Sequence, residues 1–292
     1  MTEGYLERLG TRSGSVGSVL CLGLDPDPAA LPDGFSPDVT GVETFARMVL
    51  EAAVPYAAAV KPNLAFFEAF GSAGLAALER LRAVIPGDVP VVIDAKRGDI
   101  TSTAARQAVA LYDALGADAV TVNPYLGEDS VAPLLERLDR FAYVLCRTSN
   151  PGAAEFQSLI VAEDPDLAAP AEPLWARVAR RLSSWGPGKT VGLVVAATTP
   201  DELAAVRDIA PDLAFLVPGV GAQGGEIEPV LAHGPATSGE AADQPGRGLL
   251  ANVTRGIFRA ATEPAAAGSS SDPAQRLAAA AAEWARRLPV LP

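Results

Sequence analysis

The sequence predicts a single-domain (β/α)8 TIM barrel with extra N- and C-terminal helices, and three observations support this fold class. Short apolar runs alternate with segments of helical periodicity, which is typical of a parallel sheet. Eight such units fit within 292 residues, an ordinary length for a closed barrel. Polar residues and glycines follow the apolar runs, as at the mouth of such a barrel. An open doubly wound sheet is the alternative, but no Gly-x-Gly-x-x-Gly follows the first run.

The predicted elements alternate along the chain. Strands are expected over residues 18–24, 55–60, 91–93, 119–122, 141–146, 190–196, 213–217 and 249–253. Helices are expected over residues 3–10, 42–53, 64–83, 101–115, 131–138, 174–185 and 201–209. Residues 153–172 and 234–247 are predicted as loops and 262–273 as a linker. A last helix over 275–288 would pack through Leu277, Trp284 and Leu288, so the barrel itself spans about residues 18–260.

Composition excludes several classes of protein. Apolar residues make up 49% and charged residues 20% of the chain, as in a soluble globular protein. No apolar run has membrane-spanning length and residues 1–12 lack signal-peptide features, so we expect a cytoplasmic protein without a membrane partner. A net charge of −12 without a basic stripe argues against nucleic-acid binding. Cys21 and Cys146 lie in predicted strands and are expected to be buried free thiols.

The clearest chemical signal follows the third strand, where Asp94, Lys96 and Asp99 end a β-branched apolar run. Alternation along the strand places Asp94 and Lys96 on one side, and Gly98 lets the chain turn into the next helix. Two carboxylates and an ammonium at this point are costly unless they compensate each other. One interpretation is a structural ion pair, with Asp99 as the N-cap of the next helix.

Lysine usage favours a chemical role. The chain has three lysines, Lys61, Lys96 and Lys189, and the first two end apolar runs. Arginine would serve an ion pair equally well but does not readily release a proton. Neighbouring carboxylates would keep Lys96 protonated, so that it can stabilise a carbanion and then protonate it. A carboxylate beside it would repel a substrate carboxylate until CO2 leaves, which predicts decarboxylation without a cofactor.

Other predicted strand ends carry polar residues that a barrel would gather at one mouth. These are Asp25, Lys61, Asn123, Ser149, Gln223 and Arg255. The run 218–225 offers closely spaced backbone N–H groups around Gly219 and Gly221. With Arg255 after the eighth strand, it predicts a phosphate site, although tight glycine turns alone would also explain the glycines.

Two further features give weaker evidence of a functional site. Asp25 and Asp27 could bind Mg²⁺, but Asp-Pro turns explain them equally well, and no metal is predicted. The one histidine, His233, is expected in a solvated Gly/Pro-rich loop, which argues against a Ser-His-Asp mechanism.

The residues at these strand ends resemble those of a known family. The run Asp94-Ala-Lys96-Arg-Gly-Asp99-Ile-Thr-Ser-Thr103 resembles the active-site signature of the orotidine 5′-phosphate decarboxylase family. Its longer bacterial branch is similar over about residues 18–260, through Leu24-Asp25-Pro, Val60-Lys61-Pro-Asn63, Asn123-Pro-Tyr-Leu-Gly, Thr148-Ser149-Asn-Pro-Gly and Pro218-Gly-Val-Gly-Ala-Gln223-Gly-Gly. The resemblance implies conversion of orotidine 5′-phosphate to UMP and CO2, the last step of de novo pyrimidine synthesis, without metal or organic cofactor.

The resemblance also implies roles for individual residues. Lys96 would protonate C6 of the pyrimidine, and Asp94 would face the substrate carboxylate. Asp25 and Lys61 would hold the ribose hydroxyls and join the charge network. The remaining substrate contacts would come from Asn123, Ser149, Gly219, Gly221, Gln223 and Arg255, with Ser149 on the pyrimidine and the last two on the phosphate. In this family Asp99 and Thr103 reach the neighbouring subunit's site, which implies a homodimer, although Asp99 could complete the site within one chain.

Two other functions stay open. Hexulose-phosphate synthase has a similar Asp-x-Lys-x-x-Asp pattern and uses Mg²⁺ for aldol chemistry, and a catalytically silent barrel could bind nucleotides as a sensor. The longer run from Asp94 to Ile100, together with Lys61-Pro-Asn and the Gln223 loop, favours the decarboxylase. Residues 153–172, residues 234–247 and the C-terminal helix depart from the compact form of the family.

Overall fold

Eight parallel strands form the centre of the molecule in a computed structural model that describes residues 3–187, 189–263 and 270–291. The strands are β1 (Leu20–Leu24), β2 (Ala59–Pro62), β3 (Val92–Arg97), β4 (Ala119–Val122), β5 (Phe141–Arg147), β6 (Val191–Val195), β7 (Ala214–Val217) and β8 (Leu249–Val253). They neighbour one another in the order β2-β1-β8-β7-β6-β5-β4-β3. Bridges from Val60 to Val91 and from Asn63 to Asp94 join β2 to β3. The sheet is therefore closed, and the predicted (β/α)8 barrel is confirmed.

Helices surround the strands, and further helices lie near the N- and C-terminal ends of the chain. They are α1 (Tyr5–Val16), α2 (Val39–Ala53), α3 (Ala65–Glu68), α4 (Gly71–Val84), α5 (Thr101–Ala108), α6 (Ala132–Leu135), α7 (Ala153–Gln157), α8 (Leu174–Leu182), α9 (Pro200–Ile209), α10 (Ile227–His233), α11 (Arg255–Thr262) and α12 (Pro273–Arg287). Within the described residues, no helix is long and apolar enough to cross a membrane.

The core has two parts, because side chains on each strand alternate in direction. Leu20, Leu22 and Leu24 of β1 pack outwards among the helices. Cys21 belongs instead to a separate cluster with residues of the other strands and of α1. Tyr5 of α1 stacks on Phe141 with ring centroids 4.9 Å apart, so α1 closes the barrel at the end where the strands begin. Active-site chemistry is thereby confined to the opposite end.

The two cysteines are buried free thiols, as predicted. Burial raises the pKa of both Cys21 and Cys146 to about 12. Both thiols are therefore neutral core groups at physiological pH.

Several predicted boundaries were wrong for local reasons. The second strand begins at Ala59, because residues Val54–Tyr56 around Pro55 form a 3-10 turn. The predicted helix over 64–83 is two helices, since Gly71 adopts a left-handed φ of 60° that interrupts it. The helix predicted over 101–115 changes to π geometry over Val109–Ala114.

The stretch 153–172, predicted as an extended loop, is ordered. It contains α7 and a small antiparallel ribbon of Ile160–Val161 with Glu172–Pro173. The Glu172 carboxylate is 7% exposed and accepts hydrogen bonds from the guanidinium groups of Arg177 and Arg180. These two ion pairs anchor the stretch to α8.

The C-terminal third also departs from the predictions in places. His233, placed by the sequence in a loop, is the last residue of α10, whose end is fixed because Arg207 donates hydrogen bonds to the carbonyls of His233 and Gly234. The loop that follows through residue 247 is present as predicted. Of the predicted linker, Thr262 belongs to α11, Pro273 begins α12, and residues 264–269 lie outside the described residues.

Candidate active site

Three charged side chains meet where β2 and β3 end. Lys61 Nζ donates a 2.7 Å hydrogen bond to Asp94 Oδ2, and Lys96 Nζ donates a 2.6 Å hydrogen bond to Asp94 Oδ1. Side-chain exposure rises outwards, from 4% for Lys61 and 11% for Asp94 to 50% for Lys96. One carboxylate is thus held between an interior ammonium and an ammonium that faces the solvent.

The charges in this network stabilise one another. Burial raises the pKa of Asp94, but Lys61 and then Lys96 outweigh it and hold that pKa well below its usual range. Burial lowers the pKa of Lys61, but Asp94 and then Asp25 outweigh it and raise that pKa above its usual value. At neutral pH, Asp94 is therefore a carboxylate and Lys61 an ammonium.

Thr121, on β4, holds this network in place and was missed by the sequence analysis. Its Oγ1 donates to Asp94 Oδ1 at 2.8 Å and accepts the backbone N–H groups of Ala95 and Lys96, each at 3.0 Å. Lys96 has a left-handed φ of 48°, a conformation that costs a non-glycine residue about 1–3 kcal/mol. The predicted meeting of Asp94 and Lys96 therefore depends on this turn, where the register of β3 shifts, and not on simple strand alternation.

Asp99 does not join the network within its own chain. Its Oδ1 accepts the N–H of Ile100 at 2.8 Å, and its own N–H donates to the carbonyl of Ser130 at 3.2 Å. In the described part of the chain, no ion pair connects Asp99 to Lys96. Its expected alternative role as the N-cap of α5 was also wrong, because Ile100 occupies that position without a side-chain cap.

Thr103 and Asn123 also lie apart from the charged network. Thr103 lines a groove on the outside of the barrel together with Arg97 and Arg106. Asn123 Oδ1 accepts the N–H of Tyr125 at 3.0 Å and so caps the 3-10 turn that follows β4.

Asp25 follows β1 and faces β8. Thr254 Oγ1 donates to Asp25 Oδ2 at 3.0 Å, while Asp25 Oδ1 is buried without a hydrogen-bond partner among the described residues. Gly23 makes room for this contact, since a Cβ there would lie 1.8 Å from Thr254 Oγ1. Asp25 thus lies beside the lysine network, where its carboxylate helps to raise the pKa of Lys61.

A cavity of about 420 Å³ adjoins Asp25. Its walls come from the loops after β1, β7 and β8, and they include Asp25, Gly219, Gln223, Asn252, Thr254 and Arg255. Three phenylalanines, Phe45, Phe66 and Phe258, supply apolar wall. The cavity therefore lies next to the charged network, at the barrel end where the strands finish.

The loop after β7 is shaped by its glycines. Gly219 and Gly221 have φ of 94° and 70°, a region that side-chain-bearing residues avoid. A Cβ on Gly219 would lie 3.1 Å from Gln223 Oε1 and 3.6 Å from Ser149 Cβ. The loops that follow β5 and β7 therefore meet here, and Ser149 and Gln223 both lie close to Gly219.

Gln157 fixes the loop that carries Ser149, and it too was missed by the sequence analysis. Its Oε1 accepts the N–H of Thr148 at 3.0 Å and its Nε2 donates to Thr148 Oγ1 at 2.7 Å. The ordered stretch after residue 152 thus supports the site from outside. No signal in the sequence paired Gln157 with Thr148, which lies nine residues earlier.

The donor set for a divalent metal is sparse. Asp27 Oδ1 accepts the N–H of Ala29 and so caps a short 3-10 turn, which favours the turn interpretation of the Asp-Pro pair. Among the described residues, no three His, Cys, Asp or Glu side chains are grouped to hold a metal ion.

The fold and the site define the class of protein: a (β/α)8 barrel with a Lys-Asp-Lys network and a glycine-rich loop at its mouth. The chain belongs to the orotidine 5′-phosphate decarboxylase / HUMPS family, whose model matches residues 18–270. It is 43% identical over 257 residues to orotidine 5′-phosphate decarboxylase of Herpetosiphon aurantiacus, covering 88% of this chain and 90% of that protein.

Solved structures agree with this assignment. Leishmania donovani OMP decarboxylase is 36% identical with a TM-score of 0.78, over 97% of each chain. Leishmania donovani UMP synthase is 38% identical with a TM-score of 0.80 over 98% of this chain, which spans 55% of that longer chain.

Proposed function

We propose that this protein decarboxylates orotidine 5′-phosphate to UMP and CO2, the last step of de novo pyrimidine synthesis. Family membership supports the reaction, and the observation that carries it is Asp94 held between Lys61 and Lys96. An ionised carboxylate with two ammonium partners suits a reaction in which a substrate carboxylate leaves and a carbanion takes its place.

The chemistry follows from the positions of these groups. The substrate carboxylate would lie against Asp94, and their repulsion is relieved as the bond from C6 to the carboxylate breaks. The electron pair stays on C6, where the half-exposed Lys96 ammonium stabilises it. Lys96 Nζ then gives a proton to C6, and solvent restores that proton. This chain's own side chains thus supply each step without metal or organic cofactor.

Substrate binding would use the adjoining cavity. Asp25, which lines the cavity, and Lys61 beside it would bind the ribose hydroxyls. Ser149 would contact the pyrimidine, beside Asn123 at the end of β4. The phosphate would lie on the Gly219–Gly221 loop between Gln223 and Arg255, which pairs with no carboxylate in the described part of the chain.

A homodimer with shared active sites is part of this proposal. Asp99 and Thr103 do not reach the network of their own chain, and between them Ile100 is 64% exposed. A partner subunit that covers Ile100 would bring Asp99 and Thr103 against its own surface. We further propose a single-domain cytoplasmic enzyme that acts on a small molecule, and the net charge of −12 supports the absence of nucleic acid as a partner. No membrane partner is proposed.

The dimer has a sharp test. Inactive Lys96→Ala and Asp99→Ala proteins are mixed under conditions that allow subunit exchange. If Asp99 acts across the interface, half of the dimers become mixed and each has one intact site, so roughly a quarter of wild-type activity returns. A mixture that stays inactive despite exchange would place Asp99 in its own chain's site.

The reaction itself is tested by the loss of orotidine 5′-phosphate absorbance on adding purified protein, with and without EDTA. Loss that EDTA does not change supports the metal-free decarboxylase. Absence of loss, with aldol activity that needs Mg²⁺, would instead support the hexulose-phosphate synthase branch. Tight UMP binding without turnover would support a silent nucleotide-binding barrel.

A further inference from the structure

One aromatic side chain of the C-terminal helix lies against the mouth of the barrel. Helix α12 packs on α2 and α11, and its Trp284 reaches two glycines. A Cβ on Gly221 would lie 2.6 Å from Trp284 Cη2, and a Cβ on Gly256 would lie 2.8 Å from Cε2, Cζ2 and Nε1 of the same indole. There is therefore no room for even a methyl group between the indole and either backbone.

The two glycines lie directly behind two parts of the cavity wall, because Val220, Ala222 and Arg255, their neighbours in the chain, line the cavity. Gly221 lies in the loop after β7, and Gly256 follows Arg255 in the first turn of α11. One rigid ring system therefore sets the separation between the loop N–H groups and Arg255. Arg287 stacks on the indole with its guanidinium carbon 4.4 Å from the ring centroid, which supports the ring.

A glycine-rich loop needs such support more than other backbone does. Glycine has the largest conformational freedom to lose, so an unsupported loop would be ordered only when a ligand binds, at the expense of affinity. A flat indole in contact with the Gly221 backbone keeps that loop in its left-handed conformation before the ligand arrives. Gly221 and Gly256 serve as contact surfaces because their missing side chains admit the indole.

We propose that Trp284 is a positioning residue for the phosphate site: the indole holds the Gly221 loop and the Arg255 turn at the separation that a phosphate monoester requires. This assigns a role in substrate binding to the C-terminal helix, and it rests on the proposed function. Trp284 itself touches no reacting atom.

The first test compares UMP and uridine binding by calorimetry in wild type, Trp284→Ala and Leu277→Ala. Leu277 is a matched control, because it is fully buried on the same helix and the atoms nearest to both glycines belong to Trp284 instead. Trp284→Ala is expected to weaken UMP binding roughly 10- to 100-fold and to leave uridine binding within about twofold. Leu277→Ala is expected to leave the ratio of the two affinities unchanged. Equal losses for UMP and uridine would overturn the proposal.

A second variant covers the case in which Trp284→Ala does not fold. Trp284→Phe keeps an apolar ring but lacks Cζ2 and Cη2, the atoms nearest Gly221. It is expected to lose UMP affinity selectively, and to raise KM for orotidine 5′-phosphate more than it lowers kcat. Unchanged UMP affinity in folded Trp284→Phe would overturn the proposal.

A double-mutant cycle then tests the contact itself. Gly256→Ala places a methyl group against the indole in wild type, whereas in Trp284→Ala the indole atoms nearest that methyl group are gone. Its effect on UMP affinity should therefore be large in the first background and small in the second. Equal effects in both would refute the coupling. These binding ratios are measured without turnover, so a wild-type protein that binds UMP but fails to decarboxylate would overturn the proposed reaction and leave the positioning role standing.

Discussion

Thr121→Val tests whether the hydrogen bonds behind the charge network position Lys96. Valine has the shape of threonine, so the substitution keeps the packing of a side chain whose residue is 2% exposed. It removes the bond to Asp94 and leaves the N–H groups of Ala95 and Lys96 without their acceptor. The left-handed turn at Lys96 loses its support at the same time.

The magnitude follows from these three bonds. A hydrogen bond to an ionised group contributes about 1.5–3 kcal/mol, and a buried N–H without an acceptor costs about 1–3 kcal/mol. Water can reach the half-exposed Lys96 and relieve part of the second cost. We therefore expect the free energy of unfolding to fall by about 3 kcal/mol. Since Asp94 and the turn at Lys96 both lose the hydrogen bonds that fix their positions, kcat should fall by at least about tenfold.

Urea unfolding and initial rates with orotidine 5′-phosphate measure the two effects. Thr190→Val is the matched control, because Thr190 is 1% exposed and its Oγ1 has no partner within the described residues. That substitution should change the free energy of unfolding by less than about 1 kcal/mol and leave kcat as in wild type. Equal destabilisation by both substitutions, or wild-type kcat in Thr121→Val, would refute the positioning argument.

Three further predictions concern the proposed site. Lys96→Ala should abolish the loss of substrate absorbance while calorimetry still detects UMP binding; a near-native rate would remove this lysine from the mechanism. Arg255→Ala should weaken UMP binding by roughly one to two decades and leave uridine binding unchanged, because it removes a charged bond to phosphate; equal losses would contradict that role. The lowered pKa of Asp94 contributes stability that is present above its unfolded value of about 3.9 and is lost as the pH falls below it. The raised pKa of Lys61 contributes stability that is present below its unfolded value of about 10.4 and is lost as the pH rises through the higher folded value. Asp94→Asn should flatten both limbs of the stability profile measured by urea unfolding across pH, and unchanged limbs would show that other groups cause them.

Most of the fold could be predicted from local pattern. β1, β2, β4, β6 and β7 are buried at every position, and apart from Lys61 in β2 and Thr121 in β4 their residues are apolar or glycine, so they stand out as short apolar runs in the sequence. Errors occurred where a local conformation decides the element, as in the 3-10 turn at Pro55 and the left-handed Gly71. The ordered stretch after residue 152 was missed because the ion pairs of Glu172 with α8 stabilise it, and these are tertiary contacts.

Residue types and positions at the strand ends were determined by the sequence alone. The closed barrel then brings Lys61 to Asp94, which lies 33 residues later in the chain. Which side chains form hydrogen bonds or packing contacts with these residues became clear only from the tertiary structure. Thr121 supports Asp94 and Trp284 supports Gly221 because neighbouring strands and a distant helix meet there. The Asp99 carboxylate instead accepts the N–H of Ile100, and in the described part of the chain it forms no ion pair with Lys96. Burial and periodicity are encoded locally along the chain, but a hydrogen bond depends on distance and direction, which exist only after the barrel has closed.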